Sequence, residues 1–259
     1  MAVLTLNRPD ARNALDRELS EALLAEFRTA MGDERVRSVA IAAQGTAFSA
    51  GGDLRQMGRL AGSPAATAYG WPGPVVELHQ LALEAAKPTI ALVDGPAYAG
   101  GMGVAGLCDV VLATPKASFA LPEVRVGLFP MIIVAHLARS LPRKVMLEMM
   151  LTGQPLSVED AHRVGFVNRL CADGHELLEQ ADRYAGWFAE AAPDAVRLGR
   201  RAFTLLADLP ARQALDAAQF LNLAFFLGEE LPEGASAFLG KRPPAWAAEP
   251  TARKRGLSG

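Results

Sequence analysis

Residues 93–114, VDGPAYAGGMGVAGLCDVVLAT, carry the pattern from which the fold is predicted. Within it, residues 101–106 (GMGVAG) match the pattern G-x-G-x-x-G, which is typical of dinucleotide-binding loops when it joins a strand to a helix that crosses back over the sheet. Here the next predicted strand, DVVLA, begins about eight residues after Gly101, whereas a complete crossover takes at least about 10 to 12 residues. The spacing therefore argues against a dinucleotide site.

The glycines of residues 101–106 have two other interpretations. They are small enough to let a helix pack closely against its neighbours. Alternatively, they leave backbone N–H groups unpaired at the start of a short helix, where such donors favour a negative charge that develops on a substrate oxygen. This last interpretation needs chemical partners elsewhere in the chain.

Two other segments supply such partners. Residues 48–54 (FSAGGDL) form a second glycine loop, which follows a predicted strand and opens a helix, so it can also aim a backbone N–H at a substrate oxygen. Glu123 follows Pro122 at the end of a predicted strand. The alternative is that Glu123 is an ordinary surface carboxylate. Two amides and one carboxylate, however, are the groups needed to remove a proton next to a carbonyl and to stabilise the resulting enolate.

Size, composition and charge exclude several classes of protein. The chain has 259 residues, of which 51% are hydrophobic and 21% charged, which suits one large domain or a domain with a helical appendage. A net charge of -2 argues against nucleic-acid and anionic-membrane partners. Cys108 and Cys171 stand alone, so we predict neither a disulfide nor a metal site. The sequence shows no targeting or membrane-spanning pattern, and we expect a cytoplasmic protein.

Hydrophobic periodicity predicts an α/β region in front and an all-helical region behind, with strand signals ending near Pro130. Strands are expected within residues 2–6, 36–43, 87–95, 109–114 and 117–121, and amphipathic helices within residues 17–31, 75–86, 174–192 and 193–209. Ser157 and Asp160 form a predicted capping box. The Ala-, Gly- and Pro-rich residues 61–74 are expected to be mobile.

Six segments, in order along the chain, resemble the enoyl-CoA hydratase/isomerase family of the crotonase superfamily. They are LTLNRPDARNAL (4–15), AFSAGGDL (47–54), residues 93–114, FALPEVRVGLFP (119–130), LTGQPLSVEDAHRVGFVNRL (151–170) and EGASAFLGKRPPAW (233–246). The resemblance implies an α/β fold, a crotonase-like β-β-α superhelix with a C-terminal helical trimerisation region, which we divide at residues 1–195 and 196–259. It also implies an acyl-CoA substrate, no cofactor beyond the coenzyme A of the substrate, and a homotrimer or a dimer of trimers.

The resemblance also assigns site residues. It puts two oxyanion-hole amides, which polarise the thioester carbonyl, at Gly52 and Gly100, and a catalytic carboxylate at Glu123. Removing one such donor typically costs about 10²- to 10³-fold in rate. Residues 61–74 are expected to shape the acyl pocket. The remaining substrate-binding assignments are Arg12, Ala14, Ala50, Asp53, Leu54, Gly101 and Phe129.

The chain departs from the family at Gly103, where hydratases usually carry a first catalytic glutamate. Isomerisation needs one base that removes a proton at one carbon and returns it at another, whereas hydration is easiest with two carboxylates that hold one water. Met131, Ile132 and Ile133 replace a glycine-rich helix start and make that wall drier, which raises the pKa of Glu123. We therefore favour isomerisation over hydration with a single carboxylate and over a catalytically weak acyl-CoA-binding scaffold.

Several other polar residues have more than one interpretation. Arg8 and Arg12 fit a contact with the CoA phosphates and exposure to solvent equally well. Asp53 also fits a helix cap, and Asp109 fits a structural hydrogen bond better than catalysis. His136 fits packing within its helix better than contact with substrate.

Overall fold

A computed structural model describes residues 1–247 of the chain. Its contacts separate two compact units, one of residues 1–185 and one that begins at residue 186. The strands are β1 (Ala2–Leu6), β2 (Val39–Ala43), β3 (Thr89–Val93), β4 (Ala97–Tyr98), β5 (Val110–Ala113), β6 (Ser118–Ala120), β7 (Leu156–Ser157) and β8 (Arg169–Leu170). The helices are α1 (Arg17–Gly32), α2 (Leu54–Gly58), α3 (Ala65–Gly70), α4 (Gly73–Leu83), α5 (Gly100–Gly106), α6 (Met131–Ser140), α7 (Arg143–Thr152), α8 (Val158–Arg163), α9 (Gly174–Glu190), α10 (Pro193–Ala207), α11 (Ala211–Leu227) and α12 (Glu230–Leu239). The domain boundary expected at residues 195/196 lies further along the chain than the division between the units, within α10.

Five strands of the first unit form a parallel sheet in the order β1-β2-β3-β5-β8. Ile41 of β2 pairs with Leu4 on one side and with Ala91 on the other. All five residues of β3 are buried, because a central parallel strand is covered on both faces, and this explains its continuous apolar run TIALV. The edge strand β1 instead alternates between exposed and more buried residues over most of its length.

A second sheet, in the order β4-β6-β7, fixes the loops that matter for function. β4 and β6 are parallel, and β7 is antiparallel to β6. Ser49 of the first glycine loop forms an isolated bridge with Ala97 of β4. The amide of Ala99 donates to the carbonyl of Ala120 at 2.8 Å. The first glycine loop, the start of α5 and the chain just before Glu123 are thereby held side by side.

One sequence-based expectation differs from the structure. The expectation that strands end near Pro130 is wrong, because β7 and β8 follow it. Each has only two residues, which is too short to show the alternation of apolar and polar residues that predicts a strand. Each forms because a longer strand pairs with it, β6 with β7 and β5 with β8. Residues 61–74 contain α3 and the start of α4; Pro64 precedes α3, whose alanines favour a helix, and the mobility of this segment stays a prediction.

The predicted helix starts have clear physical causes. The side chain of Asp16 accepts a hydrogen bond from the amide of Leu19 at 2.8 Å and caps α1. The Ser157 hydroxyl accepts from the amide of Asp160 at 3.1 Å and caps α8, as predicted. Helix α1 buries a face that includes Leu23, Leu24, Phe27 and Ala30.

The described part of the second unit is helical. The carboxylate of Glu230 accepts hydrogen bonds from the amides of Asp194 and Ala195 at 2.7 and 2.8 Å, and so caps α10 from a distant position in the sequence. Many large apolar side chains of α10, α11 and α12 are exposed, among them Phe203, Phe220, Phe226, Leu227, Phe238 and Leu239. Within residues 1–247, no helix is both long and apolar enough to cross a membrane.

Candidate active site

A cavity of about 530 Å³ opens in the first unit between the two glycine loops, the 3-10 helix Pro122–Val126 and the start of α6. Its lining is mainly apolar, and the charged residues that line it are Glu123 and Arg125. A concave apolar site with a few polar groups is typical of small-molecule binding. Of the site residues assigned from the sequence, the cavity is lined by Gly52, Gly100, Glu123, Ala50, Leu54 and Phe129.

The first glycine loop presents the amide of Gly52 to this cavity. The neighbouring groups are paired: Leu15 donates to the carbonyl of Gly51 at 2.7 Å, and Asp53 donates to the carbonyl of Leu15 at 3.1 Å. In the part of the chain that the structure describes, the amide N–H of Gly52 has no acceptor. An unpaired amide at the wall of an apolar cavity can bind a substrate oxygen.

The second glycine loop does the same with Gly100. Ala99 has φ +50°, which turns the backbone sharply before α5 begins at Gly100. Because Gly100 is the first residue of the helix, its N–H lacks an intrahelical acceptor. No other acceptor within residues 1–247 replaces it.

The two loops approach each other so closely that glycine is required. A Cβ atom on Gly51, where φ is +87°, would lie 2.5 Å from the Cβ of Ala99 and 3.1 Å from the nitrogen of Gly100. A Cβ on Gly100 would lie 3.7 Å from the nitrogen of Gly52. The absence of side chains therefore brings two unpaired amides together on one wall.

Glu123 lies on the 3-10 helix Pro122–Val126 and lines the same cavity. Its Oε2 atom is buried and has no hydrogen-bond partner in the described part of the chain. Burial raises the pKa of Glu123 above its usual value, against the opposing effect of a backbone hydrogen bond. A carboxylate oxygen with raised proton affinity and no partner suits a general base.

The position of Glu123 is supported from α7. Gly153 ends this helix with φ +63°, and a Cβ placed there would lie 2.9 Å from Nε of Arg125 and 3.2 Å from Cα of Pro122. The amide of Leu128 donates to the carbonyl of Glu123 at 3.0 Å. The 3-10 helix is therefore packed against α7 and closed by its own backbone hydrogen bonds.

Four residues assigned to substrate binding lie outside the cavity lining. Asp53 has the helix-cap role that was its second interpretation. Its side chain accepts hydrogen bonds from the amides of Arg55 and Gln56 at the start of α2, and its Oδ2 lies 2.8 Å from Nη1 of Arg8. This hydrogen bond from Arg8 lowers the pKa of Asp53. Arg8 also donates to the carbonyl of Ala14 at 3.1 Å, so its guanidinium joins two loops of the chain.

Two of the remaining three, Arg12 and Gly101, have backbone roles. Arg12 is exposed and has φ +51°, and it ends the short 3-10 helix Pro9–Ala11. Gly101 is buried, and a Cβ there would lie 2.5 Å from the carbonyl oxygen of Ser49, so this glycine allows α5 to pack on the first glycine loop. A contact of these residues or of Ala14 with substrate stays a prediction. Asp109, as expected, is structural: it accepts from the amide and hydroxyl of Thr89 at 2.8 and 2.9 Å.

Gly103 has no room for a side chain. A Cβ on Gly103 would lie 2.3 Å from Cγ2 and 2.9 Å from Cβ of Ile133. Ile133 belongs to α6 and lines the cavity together with Met131 and Ile132. These three residues form the apolar wall that was expected from the sequence. Isoleucine therefore fills the space in which a longer side chain at position 103 would start.

His79, on α4, lies next to this position. Its Nε2 lies 3.4 Å from the same Cβ point on Gly103, is buried, and has no hydrogen-bond partner within the described residues. Its Nδ1 lies 3.4 Å from Nδ1 of His136. Burial, and to a lesser extent His136, lower the pKa of His79 to about 4. The imidazole is therefore neutral at pH 7, and no motif around His79 indicates this environment.

Further residues line the cavity beyond those assigned one by one from the sequence. Ala68, Trp71 and Pro72 belong to residues 61–74, which we expected to shape the pocket. Met57, Leu60, Val75 and Arg125 also line it. Met57 lies in α2, Val75 in α4 and Arg125 in the 3-10 helix Pro122–Val126, so only the packing of these elements around the cavity identifies them.

Comparisons with known proteins identify the family of the chain. A model of the family described as enoyl-CoA hydratase/isomerase matches residues 1–249. The chain is 33% identical over 244 residues to a putative enoyl-CoA hydratase of Thermus thermophilus, covering 94% of this chain and 96% of that one. It is 34% identical over 254 residues to human mitochondrial enoyl-CoA hydratase domain-containing protein 3, covering 95% of this chain and 80% of that one.

Solved structures show the same relationship. A crystal structure of an enoyl-CoA hydratase from Mycobacterium smegmatis matches with a TM-score of 0.88 and 33% identity over 95% of each chain. The structure of the human domain-containing protein 3 matches with a TM-score of 0.85 and 29% identity over 94% of this chain and 95% of that one. The chain is a member of the enoyl-CoA hydratase/isomerase family and has the mixed α/β fold of the crotonase superfamily.

Proposed function

We propose that this protein isomerises the double bond of an enoyl-CoA thioester, with Gly52 and Gly100 as the oxyanion donors and Glu123 as the acid–base residue. The observation that carries the proposal is that, within the described residues, one apolar cavity combines two unpaired amides with one carboxylate whose buried Oε2 has no partner. Family membership supports the acyl-CoA substrate.

The proposed reaction starts from a 3-enoyl-CoA. Glu123 takes a proton from C2, and the electron pair of that C–H bond moves into the thioester to give an enolate. The amides of Gly52 and Gly100 donate hydrogen bonds to the enolate oxygen as its negative charge develops. Glu123 then returns the proton to C4, so the double bond moves to C2–C3 and the carboxylate is regenerated. No atom is gained or lost, and one base is enough.

The apolar wall supports isomerisation over hydration. Met131, Ile132 and Ile133 offer no polar side-chain atom to hold a water. Burial raises the pKa of Glu123, which strengthens it as a base while it remains available to give the proton back. Hydration requires an ordered water beside the double bond, and apolar surroundings disfavour one.

Hydration is the second candidate, favoured by the names of the relatives, several of which are called enoyl-CoA hydratases. In that reaction Glu123 would activate a water that attacks C3 of a 2-enoyl-CoA while C2 takes up a proton. The product is a 3-hydroxyacyl-CoA.

A direct assay separates these candidates. Wild-type protein and E123Q are each incubated with a 3-enoyl-CoA and with a 2-enoyl-CoA, and the products are separated by chromatography. We expect wild type to convert the 3-enoyl-CoA into the 2-enoyl-CoA, and E123Q to be slower by about 10²- to 10⁴-fold. A 3-hydroxyacyl-CoA as the main product would show a hydratase instead. Equal turnover in both proteins, or none over a broad panel of CoA thioesters, would favour the acyl-CoA-binding scaffold.

We also propose an assembly, a cofactor use and a location for the protein. The exposed apolar side chains of α10, α11 and α12 support a homotrimer or a dimer of trimers, because surfaces of this kind are typically covered by another chain. Light scattering should then give a mass of three or six chains. We propose no cofactor beyond the coenzyme A of the substrate. The cytoplasmic location is a prediction, and several animal relatives are named mitochondrial.

A further inference from the structure

We infer that Ile133 is a specificity-determining residue, whose side chain separates Gly103 and His79 from the cavity and so keeps water away from the polar group behind it. This rests on the proposed function, because it concerns which of two reactions of an enoyl-CoA the cavity permits.

The Cβ position of Gly103 lies close to both Ile133 and His79. One point, the Cβ position of Gly103, lies 2.3 Å from Cγ2 of Ile133 and 3.4 Å from Nε2 of His79. Ile133 is 4% exposed and lines the cavity. Gly103 and His79 are buried and are not part of its lining. Ile133 thus lines the cavity and fills the position beside Gly103, and Nε2 of His79 lies 3.4 Å from that same position.

The atom behind Ile133 is a hydrogen-bonding group without a partner. Nε2 of His79 is buried and unpartnered within residues 1–247, and such groups are rare in folded proteins because each loses its hydration. Its ring is neutral, so Nε2 donates or accepts according to the tautomer. It is therefore ready to bind a water as soon as one can reach it.

Truncation of Ile133 supplies both the space and the route. Ile133→Ala removes three carbon atoms, among them the Cγ2 that fills the position beside Gly103, and opens to the cavity a space that lies 3.4 Å from Nε2 of His79. A water in a liquid occupies about 30 Å³ and needs polar partners to be retained in a protein. In the wild-type protein the side chain of Ile133 fills the space beside Gly103, and Nε2 of His79 is buried. Ile133 accordingly favours proton transfer by Glu123 over addition of water.

The test is a change of product rather than a loss of activity. We expect I133A to form 3-hydroxyacyl-CoA from a 2-enoyl-CoA at least tenfold faster than wild type. I133V is the matched control, because valine keeps both γ-carbons and hence the cover, and it should show no gain. The double variant I133A/H79F should lose the gain, since phenylalanine fills the position of His79 without a nitrogen. I133S replaces both γ-carbons by one hydroxyl and provides the same test if I133A does not fold.

Two outcomes would overturn the inference. One is a folded I133A whose hydration rate stays within twofold of wild type. The other is a gain that persists in I133A/H79F, because His79 would then not be the group that holds the water.

A second measurement distinguishes failure of this inference from failure of the proposed function. The imidazole of His79 is titrated by NMR in wild type and I133A, without any substrate. Access of water in I133A should raise the pKa of His79 towards its ordinary value. If wild type does not isomerise a 3-enoyl-CoA but this titration and the hydration gain are observed, the proposed function fails and the role of Ile133 stands. An unchanged titration together with an unchanged hydration rate rejects the role of Ile133, whatever the activity of wild type.

Discussion

Nη1 of Arg8 lies 2.8 Å from Oδ2 of Asp53, and this ion pair ties the first glycine loop to the loop that follows β1. Asp53 also caps α2 through the amides of Arg55 and Gln56. Gly52, a proposed oxyanion donor, is the residue immediately before Asp53. The direction of its amide therefore depends on a carboxylate that takes no part in the proposed chemistry.

Replacing Asp53 should damage both stability and activity. We expect D53A to lower the free energy of unfolding by about 1–2 kcal/mol, because the cap of α2 is lost. It should also lower kcat/KM by about 10- to 100-fold, since a misplacement of about 1 Å has effects of this size. D53N, which keeps an oxygen for the cap, should lose less stability.

Denaturation curves and steady-state kinetics check this prediction. Because Arg8 lowers the pKa of Asp53 below its usual 3.8, the stabilisation by this carboxylate is complete above that pH and is lost as the pH falls below it. The stability difference between wild type and D53A should shrink in acid. A D53A protein as stable and active as wild type at pH 7 would contradict the assigned role.

Glu123 is expected to serve function at a cost in stability. Its folded-state pKa is raised by burial, so the ionised form is disfavoured in the folded protein. Stability therefore falls as the pH rises from the unfolded pKa through the folded one and stays reduced above it. E123Q removes the charge, and we expect it to melt at a temperature equal to or higher than wild type at pH 7, with the advantage vanishing near pH 4. A clearly less stable E123Q would argue against an unpaired buried carboxylate.

The same shift predicts the acid side of the activity profile. Glu123 must be ionised to take the first proton, and its pKa lies above the usual 4.5. We therefore expect kcat/KM for the 3-enoyl-CoA to fall with decreasing pH at a midpoint above 4.5. Rates measured over a pH series in which the protein stays folded give this midpoint. A midpoint at or below 4.5 would mean that the free protein presents the carboxylate to water.

His79 should make the protein sensitive to acid. Its pKa is lowered to about 4 in the folded protein from 6.5, so the unfolded chain binds the additional proton first. Stability is therefore lost as the pH falls from 6.5 towards 4, by up to about 1.4 kcal/mol for each pH unit. H79F should lose less stability over this range than wild type. H175Q, which changes an exposed residue of α9, should keep the wild-type dependence; equal curves for wild type and H79F would contradict the prediction.

Gly153 should affect catalysis from outside the cavity. At φ +63° an alanine is strained by about 1–2 kcal/mol, and its Cβ would collide with Arg125 and Pro122 beside Glu123. We expect G153A to lose stability and also to lower kcat/KM by about 10-fold or more, because small displacements of a catalytic group are costly. Gly165 is the matched control: it has φ +86°, but a Cβ there meets nothing within 4 Å. G165A should therefore lose stability but not activity. An equal loss of activity in both variants would contradict the predicted effect of Gly153 on catalysis.

Much of this site follows from local sequence. The buried run of β3 and the two glycine loops each depend on residues adjacent in the chain, so pattern and turn chemistry are enough to predict them. Glu123 is found in the same way, since it follows a short strand and a proline. The order of six segments is sufficient to identify the family.

Contacts between residues far apart in the chain are visible only in the tertiary structure. No local pattern tells that Ile133 fills the space beside Gly103, that Nε2 of His79 is buried without a partner, or that Arg8 holds Asp53. Each depends on how helices and loops pack, and packing responds to shape and distance in three dimensions rather than to spacing along the sequence. The fold, the two glycine loops and the place of Glu123 after a short strand could be predicted from the sequence. Packing alone decided which space beside them is closed to water.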